Sequence, residues 1–407
     1  MTTPTRPAFA DWLSGGNDVT QLFLSAGGHA DFINMAGGLP DPATFPAAEL
    51  AAYAARALGE GAADSLAYTP IEGVPALRDA LAARFSTPAL RLTRNNVLVT
   101  TAGMQGLDLI GKVLLEPGQT VAAQFPTYLG ALDAWRPYRP VHRPMRLEDN
   151  GFDPVAALAG AQFGYVVPNF SNPTGRLVGL DQRRALVEAA RATGTWLVED
   201  DPYGLLQYEG VPLPRLIALD AEAHPAAHPG PYDGPVVYMG TLSKEIVPGL
   251  RIGWVVAAPA MIAALTRAKQ GSDMCTSGLT QAIALAALRE GLIERIQPGV
   301  VALYRDRRDA LCVAMDRHLA GHFDWQVPVG GMFVWAVARD PGFDTDVFMR
   351  RAMEAGVGVT PSSVFDPAGQ YRRAIRINFT RNPPDRLAEG VRRLALALAR
   401  PDAVPVR

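Results

Sequence analysis

Between residues 95 and 257, short apolar runs alternate with stretches of helical periodicity, and this alternation leaves the chain few folds to choose from. The runs are Asn96 to Thr100, Thr120 to Gln124, Phe163 to Val167, Thr195 to Glu199, Val236 to Gly240 and Ile252 to Ala257. Helices are expected over Met104 to Leu115, Tyr128 to Trp135 and Asp181 to Ala192. Strands separated by helices argue for parallel pairing. The expected fold class is α/β, a large domain with a mostly parallel sheet covered by helices on both faces. A ligand then belongs at the carboxyl ends of the strands.

The residues that follow those strands carry chemistry. After the first comes Thr101-Ala102-Gly103-Met104-Gln105, a small-residue turn opening a helix, whose free N–H groups and positive dipole end suit a phosphate. After the second, Pro126-Thr127-Tyr128 offers a ring able to stack on a planar ligand. The third is followed by Asn169 to Gly175, including Asn172, the fourth by Asp200-Asp201-Pro202-Tyr203, and the fifth by Thr241 to Lys244. Lysine is scarce: only Lys112, Lys244 and Lys269 occur among 38 basic residues. Lys244 alone of these sits in a turn with hydroxyls (Thr241, Ser243) and glycines (Gly240, Gly249) around it. An amine, unlike a guanidinium, loses its proton on burial and can attack a carbonyl to form a Schiff base.

The string Ser243-Lys244, then Pro248-Gly249-Leu250-Arg251 and Gly253-Trp254, resembles the cofactor-lysine segment of the class I/II pyridoxal-phosphate aminotransferases, the aspartate-aminotransferase-like fold (fold type I). Within that family the chain is most similar to the 2-aminoadipate, kynurenine and aromatic aminotransferase branch, and the resemblance runs from Gly37 to Thr380. It implies pyridoxal 5'-phosphate as cofactor, bonded to Lys244, which then serves as the base that moves the substrate's α-proton. Asp200, three residues before Tyr203, matches the family's D-x-x-Y and would keep the ring nitrogen protonated. Such a carboxylate and a pyridinium attract by about 4 kcal/mol at an effective dielectric of about 20. The resemblance further implies Asn172 and Tyr203 at the ring oxygen and Tyr128 on the ring face. It places Gly103, Met104, Gln105, Thr241, Ser243 and Arg251 at the phosphate. Tyr68, before a Pro/Gly turn, reads from the residues as a packed aromatic. The family instead sends it across a dimer interface to the phosphate of the other subunit, which implies a homodimer with shared sites. Arg376 is read as a bidentate clamp on the substrate α-carboxylate, or as a charge guarding a strand edge. Ala36 to Pro46, with its glycines and prolines, is either a linker or the segment that brings Gly37 and Gly38 to the substrate carboxylate.

From Gly299 the texture changes. A helix over Val300 to Leu319, strand material over Trp325 to Val337, a helix over Thr345 to Ala355, a turn over Val359 to Phe365, a strand holding Arg376 and a terminal helix over Pro384 to Ala399 make a smaller α+β domain. The expected division is an N-terminal arm over 1–45 that packs with the small domain, a cofactor domain over 46–298 and a small domain over 299–407. Residues 220 to 235, rich in Pro, Gly and His, are read as a surface excursion, because a proline after both His224 and His228 disfavours a metal-binding helix.

Composition excludes other classes. A net charge of −2 gives no footprint for nucleic acid, and no apolar run reaches membrane-spanning length. The start lacks signal-peptide character, and two cysteines are too few for a disulfide framework or a metal knuckle. A cytoplasmic enzyme is expected, with an amino acid and a 2-oxo acid as its small-molecule partners and without metal, nucleic-acid or membrane partner. Gln21-Leu22-Phe23-Leu24 stands where aminoadipate-specific relatives carry an arginine, within Val19 to Ser25, and this favours an apolar or aromatic donor or broad specificity, with 2-oxoglutarate or pyruvate as acceptor. Elimination, cyclisation or racemisation on the same scaffold is the alternative reading. A DNA-reading regulator would need more positive charge than Arg6 supplies ahead of Gly37, and a nucleotide-binding fold would show G-x-G-x-x-G after the first strand.

Overall fold

A computed structural model describes residues 8–15, 31–228 and 230–399. Seven strands form the main sheet in the order β2-β8-β7-β6-β5-β3-β4. These are β2 (Val97–Thr100), β3 (Thr120–Gln124), β4 (Val141–Met145), β5 (Phe163–Val166), β6 (Trp196–Asp200), β7 (Val236–Thr241) and β8 (Gly253–Val256). Pairing is parallel from β4 through β7, with Val121 opposite Phe163, Phe163 opposite Trp196 and Leu197 opposite Val236. β8 runs antiparallel to both neighbours. Only Leu242 to Ile252 separates it from β7, which is too little chain for a parallel crossover, so the strand must turn back.

The alternation of side chains across this sheet explains why helices cover both faces. Leu98, Val121, Phe163, Tyr165, Val198, Val237 and Val255 pack with the helices Ala102–Leu114, Leu129–Trp135 and Pro259–Gln270. Their neighbours Val97, Ala122, Val166, Leu197, Tyr238 and Val256 pack with the helices Pro75–Phe85, Leu180–Thr193, Leu216–Ala223 and Gly278–Arg289. Strands buried on both sides read as continuous apolar runs, as six of these do. β4 is the exception: its sequence, Val-His-Arg-Pro-Met, has exposed and charged positions and gives no strand signal. It lies at the sheet edge, where a proline without an N–H is tolerated.

A second, antiparallel sheet has the order β12-β13-β10-β9. It comprises β9 (Phe323–Trp325), β10 (Phe333–Ala338), β12 (Thr360–Pro361) and β13 (Ala374–Asn378), with Trp335 opposite Arg376. β1 (Ile33–Asn34) pairs in parallel with β11 (Val357–Gly358), which ties the early chain to this smaller unit. Asp41 extends the attachment, because its carboxylate meets Arg307 at 2.5 Å and its backbone N–H donates to the Tyr304 hydroxyl at 3.0 Å. Arg307 and Tyr304 lie on the helix Leu292–His318, which begins before Gly299 and carries Pro298 inside it.

The His-rich stretch is less exposed than the sequence suggests. Leu216–Ala223 is a helix, and His228 is buried with its ring stacked 4.8 Å from Tyr232. Both surround the fully buried Asp220, which accepts hydrogen bonds from Arg191 at 2.5 and 2.8 Å and from the Tyr232 hydroxyl at 2.8 Å. A buried carboxylate needs such partners, and they draw the segment inward. Among the described residues, no helix is long and apolar enough to cross a membrane and no cluster of His, Cys, Asp or Glu could hold a metal.

Candidate active site

The carboxyl ends of β2, β3, β6 and β7, with the loop after β5, enclose one cavity. Its lining includes Gly103, Met104, Tyr128, Asn172, Asp200, Tyr203, Thr241, Ser243, Lys244 and Arg251. A larger cleft of 760 Å³, lined by Asp133, Arg136, His142, Asp366 and Arg372 among others, contains none of the candidate residues. Size therefore does not identify the site, whereas the convergence of chemical groups does.

Lys244 sits on the short helix Leu242–Glu245 directly after β7. Its Nζ donates to the Gly38 carbonyl at 2.7 Å. Burial and the nearby guanidinium groups of Arg376 and Arg251 lower its pKa to about 8, so a useful fraction is free amine near neutral pH. Asp200 ends β6 and accepts a hydrogen bond from the Tyr165 hydroxyl at 2.8 Å. Burial raises its pKa to about 6, opposed by the Tyr165 bond and reinforced by Asp201. Asp201 points elsewhere, accepting from Asn169 at 2.8 Å and from the Tyr238 hydroxyl at 3.3 Å. Tyr128 and Tyr203 are held fully protonated, chiefly by burial, which pushes Tyr128 up to about 12.

Arg376 projects from β13 between two rings, its guanidinium carbon 4.4 Å from the centre of Phe333 and 4.9 Å from that of Phe365. It donates to Asn172 Oδ1 at 2.6 Å and to the Ala36 carbonyl at 2.5 Å, and its Nε has no protein partner. Arg376 is buried and points inward, so it does not guard a strand edge. Burial lowers its pKa to about 10, which leaves it charged near neutral pH.

Four expected residues lie differently. Gln105 turns away from the cavity and accepts the Thr101 N–H at 2.8 Å. Its side chain bonds to Thr101 and Asp273 instead, which holds it off the cavity side. Tyr68 is 85% exposed and does not line the cavity of its own subunit. Gly37 and Gly38 lie at the margin, where Gly38 reaches Lys244 through its carbonyl and Gly37 donates its N–H to Asn34 at 3.3 Å. The segment Val19 to Ser25 lies outside the described residues. Tyr165 is the residue that sequence reasoning missed, because a tyrosine inside the apolar run Phe163–Val166 carries no signal other than core packing.

These residues fit pyridoxal phosphate. The helix Ala102–Leu114 has no side-chain cap on its first-turn N–H groups, and a Cβ at Gly103 would meet nothing within 4 Å, so those amides open on free space. Thr241 Oγ1 lies 3.0 Å from Ser243 Oγ, and Arg251 lines the same cavity, giving an anion both hydroxyls and a cation. The buried Asp200 carboxylate is uncompensated among the described groups apart from the Tyr165 bond, as a partner for a protonated ring nitrogen should be. An amine-bearing strand end, an anion cradle and a buried carboxylate on this sheet define a pyridoxal-phosphate enzyme of the aspartate-aminotransferase fold.

Comparison with known proteins takes the assignment further. Residues 30–394 match the family described as aminotransferase class I and II. The chain is 34% identical to an aromatic-amino-acid aminotransferase of Thermococcus litoralis, over 90% of this chain and 88% of that protein. It is 36% identical to a 2-aminoadipate transaminase of Thermus thermophilus, over 90% of each. Its fold superposes with a TM-score of 0.86 and 34% identity on a Thermus thermophilus α-aminoadipate aminotransferase complexed with N-(5'-phosphopyridoxyl)-L-leucine, covering 96% of this chain and 97% of the other. The chain belongs to the class I and II aminotransferases and is a pyridoxal-phosphate-dependent enzyme that transfers an amino group between an amino acid and a 2-oxo acid.

Proposed function

We propose that the enzyme takes an apolar or aromatic amino acid as donor, with broad tolerance, and 2-oxoglutarate or pyruvate as acceptor, in a ping-pong cycle. The observation that carries this reading is the setting of Arg376, whose guanidinium lies between Phe333 and Phe365. A clamp for one carboxylate surrounded by rings suits a substrate whose other end is apolar. The lack of arginine in Val19 to Ser25 points the same way. Relatives named for aromatic amino acids, for 2-aminoadipate and for multiple substrates allow a broad range.

In this reading the cofactor supplies the carbonyl that receives the amino group and a ring that withdraws electrons from the α-carbon. The chain does the rest. Arg376 binds the α-carboxylate and sets the direction of the α-hydrogen, with Asn172 bracing its guanidinium. Lys244 would act as the base at the substrate α-carbon, its amine taking up the α-proton and holding it as an ammonium. Asp200 holds a proton on the ring nitrogen, and Tyr203 and Asn172 hold the ring oxygen. Tyr128 covers the ring face and keeps water out, while Gly103, Met104, Thr241, Ser243 and Arg251 hold the phosphate. Tyr68 of the partner subunit completes the phosphate site in a homodimer, a role that suits a tyrosine left exposed on its own subunit. We assign the arm to residues 1–45, the cofactor domain to 46–298 and the small domain to 299–407, and place the enzyme in the cytoplasm.

The test is a donor panel with each acceptor, reading the amino acid formed. Phenylalanine, tyrosine or leucine should exceed aspartate in kcat/KM by about 10²-fold, the scale expected when a charge must enter an apolar pocket. A preference for aspartate or 2-aminoadipate would overturn the donor assignment, and ammonia release without an acceptor would favour elimination. Arg376→Lys should lower kcat/KM for every donor by about 10²-fold, because a point charge cannot reproduce the two-pronged contact. The loss should be the same for phenylalanine and leucine if Arg376 reads only the carboxylate.

A further inference from the structure

Lys269 is fully buried, and its Nζ lies 2.5 Å from Oδ1 of Asp273, one helical turn further along the chain. The other oxygen of that carboxylate, Oδ2, accepts the hydroxyl of Thr101 at 3.0 Å. The Gln105 side chain also bonds to Asp273, and Gln105 Oε1 accepts the backbone N–H of Thr101 at 2.8 Å. Burial disfavours the charge on Asp273, yet the bonds from Lys269, Gln105 and Thr101 hold its carboxyl below the usual range.

Thr101 is the N-cap of the helix Ala102–Leu114, whose first turn meets the cofactor cavity through Gly103 and Met104. A threonine in that place ordinarily turns its oxygen onto the second or third N–H of its own helix. This one makes no such bond, and its hydroxyl is directed to Asp273 instead. The first-turn amides are thereby left to a ligand. Ala102 has a left-handed φ of 60°, which a side-chain-bearing residue keeps only under constraint from its surroundings. The constraints are the Gln105 bond to Thr101, the Thr100 hydroxyl bond to the Ala102 carbonyl at 3.0 Å, and the close approach of Gly253, where a Cβ would come within 2.7 Å of the Ala102 backbone. An acidic group beside an anion cradle would repel the anion unless neutralised, and Lys269 neutralises it.

We propose that Lys269 and Asp273 are positioning residues for the cofactor phosphate: the pair holds the Thr101 hydroxyl and the Gln105 amide off the first-turn N–H groups, which stay available to the anion. This rests on the pyridoxal-phosphate assignment above. The test compares pyridoxal phosphate with pyridoxal, which lacks only the phosphoryl group, each titrated by absorbance into the full-length protein freed of cofactor. Asp273→Ala frees Thr101 to cap its own helix and should weaken pyridoxal phosphate about tenfold while pyridoxal changes less than about twofold. Lys269→Met leaves an unpaired carboxylate beside the anion and should weaken pyridoxal phosphate further, by about 30-fold, and adding Asp273→Ala to it should return the affinity to that of Asp273→Ala alone. Parallel weakening of both ligands, or no change in Asp273→Ala, would overturn the proposal. Should Lys269→Met fail to fold, the same ratio in Asp273→Ala decides, since that side chain is 28% exposed. A wild-type protein that binds neither compound would overturn the cofactor assignment instead.

Discussion

Lys244→Ala is expected to reduce amino transfer by at least about 10³-fold for every donor, because the amine to which we assign the movement of the α-proton is then missing. Lys244→Arg should be equally inactive, since a guanidinium does not give up its proton and cannot serve as the base. Retention of a tenth of wild-type activity in either variant would remove Lys244 from the mechanism. Stability supplies an independent check in the cofactor-free protein. Burial, with Arg376 and Arg251 nearby, depresses the Lys244 pKa from 10.5 to about 8, so the folded state releases this proton more readily than the unfolded chain. The resulting penalty is fully present below pH 8 and fades as the pH rises toward 10.5. Lys244→Met should therefore melt above the wild type at pH 7, and the gap should close by about pH 10.5.

Asp200→Asn is the second large effect. An amide cannot hold a proton on the ring nitrogen by charge, and amino transfer should fall by about 10²-fold or more. The cofactor-free protein should respond in the opposite sense. Burial raises the Asp200 pKa from 3.8 to about 6, against the pull of the Tyr165 hydroxyl. Its folded value thus lies above its unfolded one, and the carboxylate destabilises the fold above about pH 6, with no penalty below 3.8. Asp200→Asn should gain on the order of 1–3 kcal/mol at about pH 8 and nothing at about pH 3.5, read from denaturant unfolding at each pH. A variant that loses activity and stability together would show that Asp200 is a structural carboxylate instead.

The order of groups along the main sheet was legible because each is local. An apolar run ends, a turn follows, and the turn residue is named by its neighbours, as with Tyr128 after β3, Asp200 at the end of β6 and Lys244 after β7. Direction and orientation were not legible in the same way. β8 reads like its neighbours but runs antiparallel, since the period of its side chains is the same in either direction. Gln105 carries the polar group expected beside a phosphate, but its side chain is taken up by Thr101 and by Asp273, a residue 168 positions further along the chain that no local signal connects to it. Tyr165 looks like core and is core, apart from its hydroxyl, whose one polar contact supports Asp200.

Hydrophobic period, turn residues and a rare lysine were enough to indicate a mostly parallel α/β sheet and the groups at its strand ends, since each of these signals lies within a few consecutive residues. Contacts across long separations needed the folded chain. Arg376 meets Asn172 from 204 positions away, and Lys244 meets Gly38 from 206. Such meetings depend on how the smaller antiparallel sheet packs against the main one. That packing follows from the shape and burial of many side chains together, which no short stretch of sequence encodes.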